Sequence, residues 1–460
     1  MFAMTVSELC AAVNGKLLSG DPAVQVESIS TDSRTIGEGE LFLPVAGENF
    51  DGHDYIEKAL AAGAAGCLCS RVPEWFTDGK FYIQVENTRL ALKALAQWYR
   101  KKFPSVPFVQ VTGSVGKTTC KEMLASVLSE HFMTLKTQAN FNSDLGVPQT
   151  VLRADESTQA AVIETGMDHF GEIRYLGEIV RPHIAVITNV GDAHIEFLGS
   201  REGILKAKSE IFENLDADGV AILNGDDDLL NTVSVPQKII RCGRGENCDV
   251  RVRDVVSDGL DGVSCTVHTE KADYALRIPA PGAHMIYPAA IAVAVGELLG
   301  LSEDEIIRGV AGYCASGDRM RVEHLAGERI VLNDTYNASP QAMEAAVRIL
   351  AKTDAVKRIA MLGDMAELGD AAERCHRKIG HLVGEEKIDV LFCTGENCRK
   401  YLLPEAEKNG CRTVRWYPCK EDAYADLIRE FVPRSVVLLK ASHFSGRFDL
   451  IADYLREYDF

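Results

Sequence analysis

The sequence predicts an α/β protein of three domains, and three observations carry that prediction. Short apolar runs with strand character alternate with segments of helical periodicity along most of the chain. One such junction, Val106 to Phe132, runs strand, glycine-punctuated loop, helix, which is the order of a phosphate cradle. Past a small polar stretch, Gly312 to Gly317, the alternation starts afresh as a doubly wound unit. A length of 460 residues itself suggests about two to four domains. The boundaries expected are 1–84, 85–316 and 317–460.

Bulk composition narrows the function classes. The chain is 46% hydrophobic and 25% charged, in the range of a water-soluble globular protein. No apolar run approaches the roughly 20 residues needed to span a bilayer, and residues 1–20 lack a basic start followed by an apolar core. A cytoplasmic protein with no membrane insertion is therefore expected. Thirteen cysteines without a C-x-x-C pair fit a reducing compartment better than a disulfide framework. A net charge of −18 argues against nucleic acid as a partner. Small anions remain admissible if local N–H groups, a few Lys or Arg and Mg²⁺ hold them.

Taken in order, residues 1–84 form a small α/β module. Ser28 to Arg34 runs from a strand into a polar loop, and Leu41 to Val45 is a second strand closed by Gly47. Asp51 to Tyr55 is a turn, and Ile56 to Ala65 an alanine-rich helix. Cys67 and Cys69 alternate in an apolar run, as buried small residues do. Ser33 and Arg34 could grip an anionic ligand or simply line a solvated loop, and these residues alone do not choose. Leu90 to Phe103 is a helix ended before Pro104.

The phosphate cradle follows. Phe108, Val109 and Val111 form a buried strand; Cys120, Leu124, Val127, Leu128 and Phe132 recur at helical spacing from about Lys117. Between them lies Thr112-Gly113-Ser114-Val115-Gly116-Lys117-Thr118-Thr119, a short variant, since Val111 sits where the general pattern has a glycine. Loop N–H groups and the positive helix end face the anion, Lys117 adds charge, and the Thr118 hydroxyl can reach Mg²⁺. Two more strands are expected to end at the same sheet edge: Ala160 to Glu164, and His183 to Asn189 with its exit loop to His194. Ligands bind beyond the carboxyl ends of such strands, so Glu164 and His194 join the cradle in one metal-nucleotide site.

The next helix, Gly203 to Leu215, carries a lysine on its apolar stripe. Lys208 lies four residues after Ile204 and three before Ile211, whereas Lys206 points about 200° away from it. Either Lys208 snorkels its head to water, or burial lowers its pKa and its neutral amine reacts with CO₂. The resulting carbamate would be an anionic oxygen ligand suited to Mg²⁺.

Ala221 to Asn224 is a strand before the acidic turn Asp226-Asp227-Asp228, and residues 242–280 suggest a small antiparallel addition. Pro279 to Pro288 is expected as a loop and Ala289 to Leu299 as a helix. Gly312 to Gly317 is expected as a hinge. In the third unit, Ile330 to Leu332 is a strand and Asn333 to Pro340 its exit loop, with Ser339 as N-cap and Pro340 as first helical residue. Ile359 to Leu362, Val390 to Cys393 and Val436 to Leu439 are further strands. No Gly-x-Gly-x-x-Gly follows any of them, so a dinucleotide site has little support.

Together these residues resemble the Mur ligases, ATP-dependent amide-forming enzymes of peptidoglycan synthesis, over nearly the whole chain. Thr31 to Arg34, Leu41-Phe42, Gly47 and Asp51-Gly52-His53 resemble the family's uridine-binding domain. Thr112 to Thr119 is similar to its short phosphate loop, and Asn140 to Pro148 to its Asn-x-Asn…Gly-x-Pro substrate loop. Glu164-Thr165-Gly166, His194 and Ala207-Lys208 match its metal centre, where the family lysine is carbamylated. Arg319 and Asn333 to Pro340 resemble the part of the third domain that closes over ATP. Gly363 to Gly369 points to the dipeptide-adding branch, and the Asp-Asn-Pro-Arg motif of the amino-acid-adding branch is missing. Two departures stand out. Met285 and Pro288 occupy positions where the family usually has asparagines, one of which contacts adenine, and Lys440-Ala441-Ser442-His443 replaces Lys-Gly-Ser-Arg.

The resemblance implies a small uridine-binding domain, a central P-loop ATP-binding domain with a parallel sheet and a Rossmann-like C-terminal domain. It implies ATP, two Mg²⁺ ions and a CO₂-derived carbamate on Lys208. The expected substrates are a UDP-N-acetylmuramoyl tripeptide ending in lysine or diaminopimelate, and D-Ala-D-Ala, acted on by a monomer. The tripeptide carboxylate would attack the γ-phosphate, and the dipeptide amine would then displace phosphate from the acyl phosphate. Lys117, Glu164, His194 and Lys208 are the expected catalytic residues. Gly113 to Thr119, Arg319, Asp334 and Asn337 would hold ATP, and Ser33, Arg34, Asn140 and Asn142 the UDP substrate. Thr118 and Glu164 would ligate one ion, His194 and carbamylated Lys208 the other. The rival readings are an amino-acid-adding muramyl ligase, a folylpolyglutamate synthase-like ligase, and a nucleotide-binding regulatory protein with no ligase activity.

Overall fold

Residues 3–47, 50–442 and 446–460 are described by a computed structural model of the chain. His443, one of the two departures near the C-terminus, lies outside them. Among the described residues no helix is long and apolar enough to cross a membrane, and every cysteine is free.

Three large sheets organise the chain, beside a two-stranded antiparallel pair, Met4–Thr5 with Gln25–Val26. The N-terminal module has five strands in the order Lys16–Ser19, Phe81–Gln84, Gly66–Cys69, Leu41–Phe42, Ile29–Ser30. All its pairings are parallel except the first. The helix predicted to Ala65 stops at Ala61, and the chain turns at once into the strand that buries Cys67 and Cys69. One face of this module shares a core with the central sheet. Phe81 and Ile83 on one side and Phe108, Ala161 and Ile163 on the other enclose Leu92 and Leu95 of the helix Thr88–Arg100.

The central sheet has nine strands. Seven run parallel in the order Val250–Ser257, Lys238–Gly243, Val220–Asn224, Ile184–Ile187, Phe108–Thr112, Ala160–Glu164, Thr134–Lys136, the last at the edge. The antiparallel addition, Val263–His268 and Asp273–Ile278, extends this same sheet beyond Val250–Ser257. Central strands buried on both faces favour continuous apolar runs, as Ile184–Ile187 shows. Register aligns their ends: Glu164 pairs with Val111 and Ile187 with Thr112, so three exit loops leave at one level.

Three further helices depart from expectation. Pro288 is helical, because the helix begins at Ile286 and its first turn tolerates a residue without an N–H. The predicted helix to Leu215 is α-helical only over Arg201–Ser209 and continues as a 3₁₀ turn, Glu210–Asn214. The helix Glu303–Ala311 was not foreseen, although Ser302 and Glu305 form a capping box at its start.

The C-terminal sheet has six strands in the order Arg321–Leu325, Arg329–Asn333, Ser435–Lys440, Lys357–Leu362, Val390–Cys393, Thr413–Trp416. It is parallel apart from the first hairpin, with Pro340–Lys352 and Ala372–Glu385 packed on one face. Ser339 occupies the N-cap position and Pro340 the first helical one, but Ser339 makes no capping bond. Its buried Oγ has no partner, so the expectation that this side chain caps the helix fails.

Candidate active site

The carboxyl edge of the central sheet faces the C-terminal domain across a cleft of about 1270 Å³. The phosphate loop forms its floor. Gly113 is required because a Cβ there would lie 1.9 Å from Thr188 Oγ1, and Gly116 takes a left-handed φ of 78° to open the helix. The neighbouring exit loop clamps this turn. Ser114 N–H donates to the Asn189 carbonyl (3.1 Å), Val115 N–H to Asn189 Oδ1 (3.0 Å), and Gly191 N–H to Ser114 Oγ (2.9 Å). Two of the loop amides expected to cradle phosphate are therefore already committed. The amides left to meet an anion are those of Gly116, Lys117, Thr118 and Thr119, at the positive helix end.

Lys117 Nζ donates to the Gly113 carbonyl (2.9 Å). Burial lowers its pKa, opposed by the Glu164 charge. Glu164 is 1% exposed at its strand end. Its carboxylate accepts from Thr118 Oγ1 (2.8 Å) and Asn142 Nδ2 (2.9 Å), with Lys121 Nζ 3.9 Å away. Thr118, Asn142 and Glu164 thus come together as a small oxygen-rich cluster, a donor chemistry that suits a hard cation such as Mg²⁺. Lys121 is itself fully buried, bonded to the Thr137 carbonyl and paired with Glu122.

His194 lines the cleft in a left-handed conformation, φ 63°. Its Nδ1 is 2.6 Å from Glu367 Oε2, but the approach lacks hydrogen-bond geometry and leaves Nδ1 without a bond. Lys208 is 1% exposed beneath Ile204, while Lys206 is exposed with its Nζ 5.7 Å from the Phe170 ring centroid. Lys208 lies behind the cleft wall rather than on it. Its pKa falls well below the ordinary 10.5, first through burial and then through the Lys117 charge, and no carboxylate opposes the shift. A buried, uncompensated amine of this kind fits the chemistry of carbamylation.

The opposite wall belongs to the C-terminal domain. The Arg319 guanidinium stacks 3.8 Å above the Tyr336 ring. Lys440 Nζ meets Asp334 Oδ2 at 2.5 Å and donates to the Asn337 carbonyl (2.9 Å). Arg319, Asp334 and Asn337 all line the cleft, and so does Lys440, a residue that local reading alone did not assign. Met285 and Pro288 form part of its apolar side next to Asn224 and Ile291. Asp192 ties the two walls, accepting from Gln341 Nε2 (2.6 Å) and Arg374 Nη2 (3.0 Å). These pairings span sequence separations above 140 residues and had no local signal.

The residues expected to hold the UDP end are not gathered here. Ser33 and Arg34 sit on the N-terminal module, outside the cleft, and the Arg34 guanidinium is engaged by Asp32 (2.7 Å). Asn140 is exposed and off the cleft, whereas Asn142 lines it. The triple Asp226-Asp227-Asp228 is structural: Asp227 accepts from the N–H groups of Val190, Leu229 and Leu230, and Asp228 pairs with Arg201.

With this geometry in view, comparison with known proteins is informative. Family models match over residues 25–100 (Mur ligase family, catalytic domain), 111–296 (Mur ligase middle domain) and 319–443 (Mur ligase, glutamate ligase domain). The chain is 36% identical over 399 residues to the UDP-N-acetylmuramoyl-tripeptide--D-alanyl-D-alanine ligase of Bacillus subtilis (strain 168), covering 86% of each. A crystal structure of MurF from Acinetobacter baumannii superposes with a TM-score of 0.90 at 31% identity over 99% of both chains. The MurF ligase of Thermotoga maritima, solved in complex with ADP, gives 0.81 at 28% identity over 94% of this chain and 97% of that one.

Proposed function

The chain belongs to the Mur ligase family, and from that premise we infer that it is the ATP-dependent ligase joining D-Ala-D-Ala to a UDP-N-acetylmuramoyl tripeptide in peptidoglycan precursor synthesis. The observation that carries the reading is the convergence of Lys117, Thr118, Glu164 and His194 on one cleft closed by Arg319, Asp334 and Asn337. A nucleotide switch would need the first two groups but not the rest.

A carboxylate is a poor electrophile, and phosphorylation gives it a leaving group. The tripeptide carboxylate attacks the γ-phosphorus and ADP departs; the dipeptide amine then attacks the acyl carbon, forming the amide and releasing inorganic phosphate and a proton. The protein contributes placement and charge neutralisation among anionic reactants. Lys117 and the amides of Gly116 to Thr119 face the β- and γ-phosphates, Arg319 reaches the nucleotide from the opposite wall, and Asp334 and Asn337 shape that wall. Asn142 orients Glu164 through its amide, Ser33 and Arg34 serve the UDP end from the N-terminal module, and Asn140 serves it from the central domain. Thr118 with Glu164, and His194 with carbamylated Lys208, would hold two Mg²⁺ ions, whose chemistry is to neutralise phosphate and carboxylate oxygens. The carbamate forms when the neutral Lys208 amine adds to CO₂ and releases a proton. The buried, uncompensated state of Lys208 supports this. The domain limits 1–84, 85–316 and 317–460, closure about Gly312 to Gly317, and action as a cytoplasmic monomer complete the proposal.

The test is phosphate release with ATP and the UDP-muramoyl tripeptide, offering or withholding D-Ala-D-Ala. Strict dependence on the dipeptide is expected. Turnover that ignores the acceptor would favour a nucleotide switch.

A further inference from the structure

Six carboxylates line the cleft, and five are already committed. Asp144 is paired with Arg89 (2.6 Å) and Asp334 with Lys440. Glu164 is held by Thr118 and Asn142, Asp168 by the His169 ring (2.8 Å), and Glu172 by the N–H groups of Asp168 and His169. The sixth is Glu367. Among the described residues no lysine or arginine pairs with it, and its one close neighbour, His194 Nδ1, is out of hydrogen-bond geometry. An anionic group placed in a reaction cleft without a protein counter-charge is suited to a cationic ligand.

The backbone holds Glu367 there against a cost. Its φ of 60° is left-handed, a conformation that costs a non-glycine residue on the order of 1–3 kcal/mol and persists only where the surroundings fix it. They do. Asp364 accepts from the N–H groups of Asn397 (3.1 Å) and Cys398 (2.8 Å). Met365 N–H donates to His376 Nε2 (3.1 Å), whose Nδ1 bonds the Ala372 carbonyl (2.8 Å). The Glu367 carbonyl accepts from Glu196 N–H across the domain junction (3.4 Å). Asp364, His376 and Cys398 lie close enough to suggest a metal trio. Both nitrogens of the histidine are spent, and the trio instead braces the loop that carries Glu367.

Resting on the ligase reading above, we propose that Glu367 receives the ammonium group of the incoming dipeptide and places its nitrogen beside the acyl phosphate. The dipeptide's attacking end arrives as a cation. Glu367 stands against His194, at the end of the cleft where the carboxylate is activated. The role is recognition of the acceptor and belongs to the second half of the reaction alone.

The experiment compares two acceptors for the same acyl phosphate. Hydroxylamine, a small neutral amine, captures it as a hydroxamate without needing a carboxylate to hold it; D-Ala-D-Ala does need one. For Glu367→Gln, kcat/KM for the dipeptide should fall about 10- to 100-fold further than the rate of hydroxamate formation. Most of that fall should lie in the dipeptide KM. Glu367→Asp, which keeps the charge, should recover part of the loss. Equal falls with both acceptors would overturn the inference and leave Glu367 as a strut between domains. An unchanged dipeptide kcat/KM would overturn it as well. If wild-type enzyme formed hydroxamate but never coupled D-Ala-D-Ala, the ligase reading itself would fail instead.

Discussion

Lys208 and Lys440 are both about 1% exposed, the first behind one wall of the cleft and the second lining the other, yet their surroundings differ completely. Lys440 ends a strand with Asp334 at 2.5 Å and a backbone carbonyl at 2.9 Å. Lys121, buried near Glu164, is satisfied in the same way. Lys208 is buried, and the one charge acting on it is a second positive one, that of Lys117. A buried ammonium is tolerable when paired and costs several kcal/mol when it is not. The first arrangement fixes structure. The second keeps an amine neutral, and neutrality is what reaction with CO₂ requires.

The largest effect expected from this contrast is on activity. Lys208→Ala should lower ligase turnover by about 10³- to 10⁴-fold, the loss of an oxygen ligand at the charge-neutralising centre. Formate or acetate, filling the gap with a free carboxylate, should restore part of it. Rates that fall this far and do not respond to added carboxylate would separate Lys208 from the carbamate role.

The paired lysine should show its importance in stability. Lys440→Met leaves the Asp334 carboxylate without its partner and should cost about 3–5 kcal/mol in urea unfolding. Lys208→Met should have the opposite sign. It replaces an unpaired amine by an apolar chain of similar length and should stabilise the apoprotein by about 1–3 kcal/mol near neutral pH in CO₂-free buffer. The pH dependence follows from linkage. Lys208's folded pKa lies below its unfolded value, so between the two the unfolded chain binds more protons. Wild-type stability therefore rises with pH across that window. The advantage of Lys208→Met should shrink as pH climbs toward 10.5 and be smallest above it. A destabilised Lys208→Met protein would show that the amine has a partner after all.

Much of the contrast is legible in the sequence. Strand, loop and helix around Lys117 are set by local periodicity and glycines, and they appear where the sequence put them. Lys208's burial followed from its spacing to Ile204 and Ile211. What local pattern could not convey is long-range pairing. Asn189 consumes the Ser114 and Val115 amides from some 75 residues away, and Lys440 finds Asp334 across a sheet. Ser339 shows the converse error, a correct N-cap position whose side chain the cleft leaves unbonded. Ser33 and Arg34 remain a local reading, since their loop faces no part of the cleft.

The smallest effect expected is the sharpest check on the helix-face argument. Lys206 and Lys208 share one helix, one charge and nearly one sequence position, but two residues of α-helix turn the side chain by about 200°. Lys206 is exposed, and its nearest notable contact is the Phe170 ring, at 5.7 Å. Lys206→Ala should leave turnover near wild type and stability within about ±0.5 kcal/mol, the usual range for a surface change. Alanine's better helix propensity would offset the lost cation–π contact. Any loss of helix common to both alanine variants would appear in both melting curves. If Lys206→Ala lost activity as deeply as Lys208→Ala, position on the helix rather than face would be what matters. The inference from an apolar stripe to a reactive amine would then be unsound.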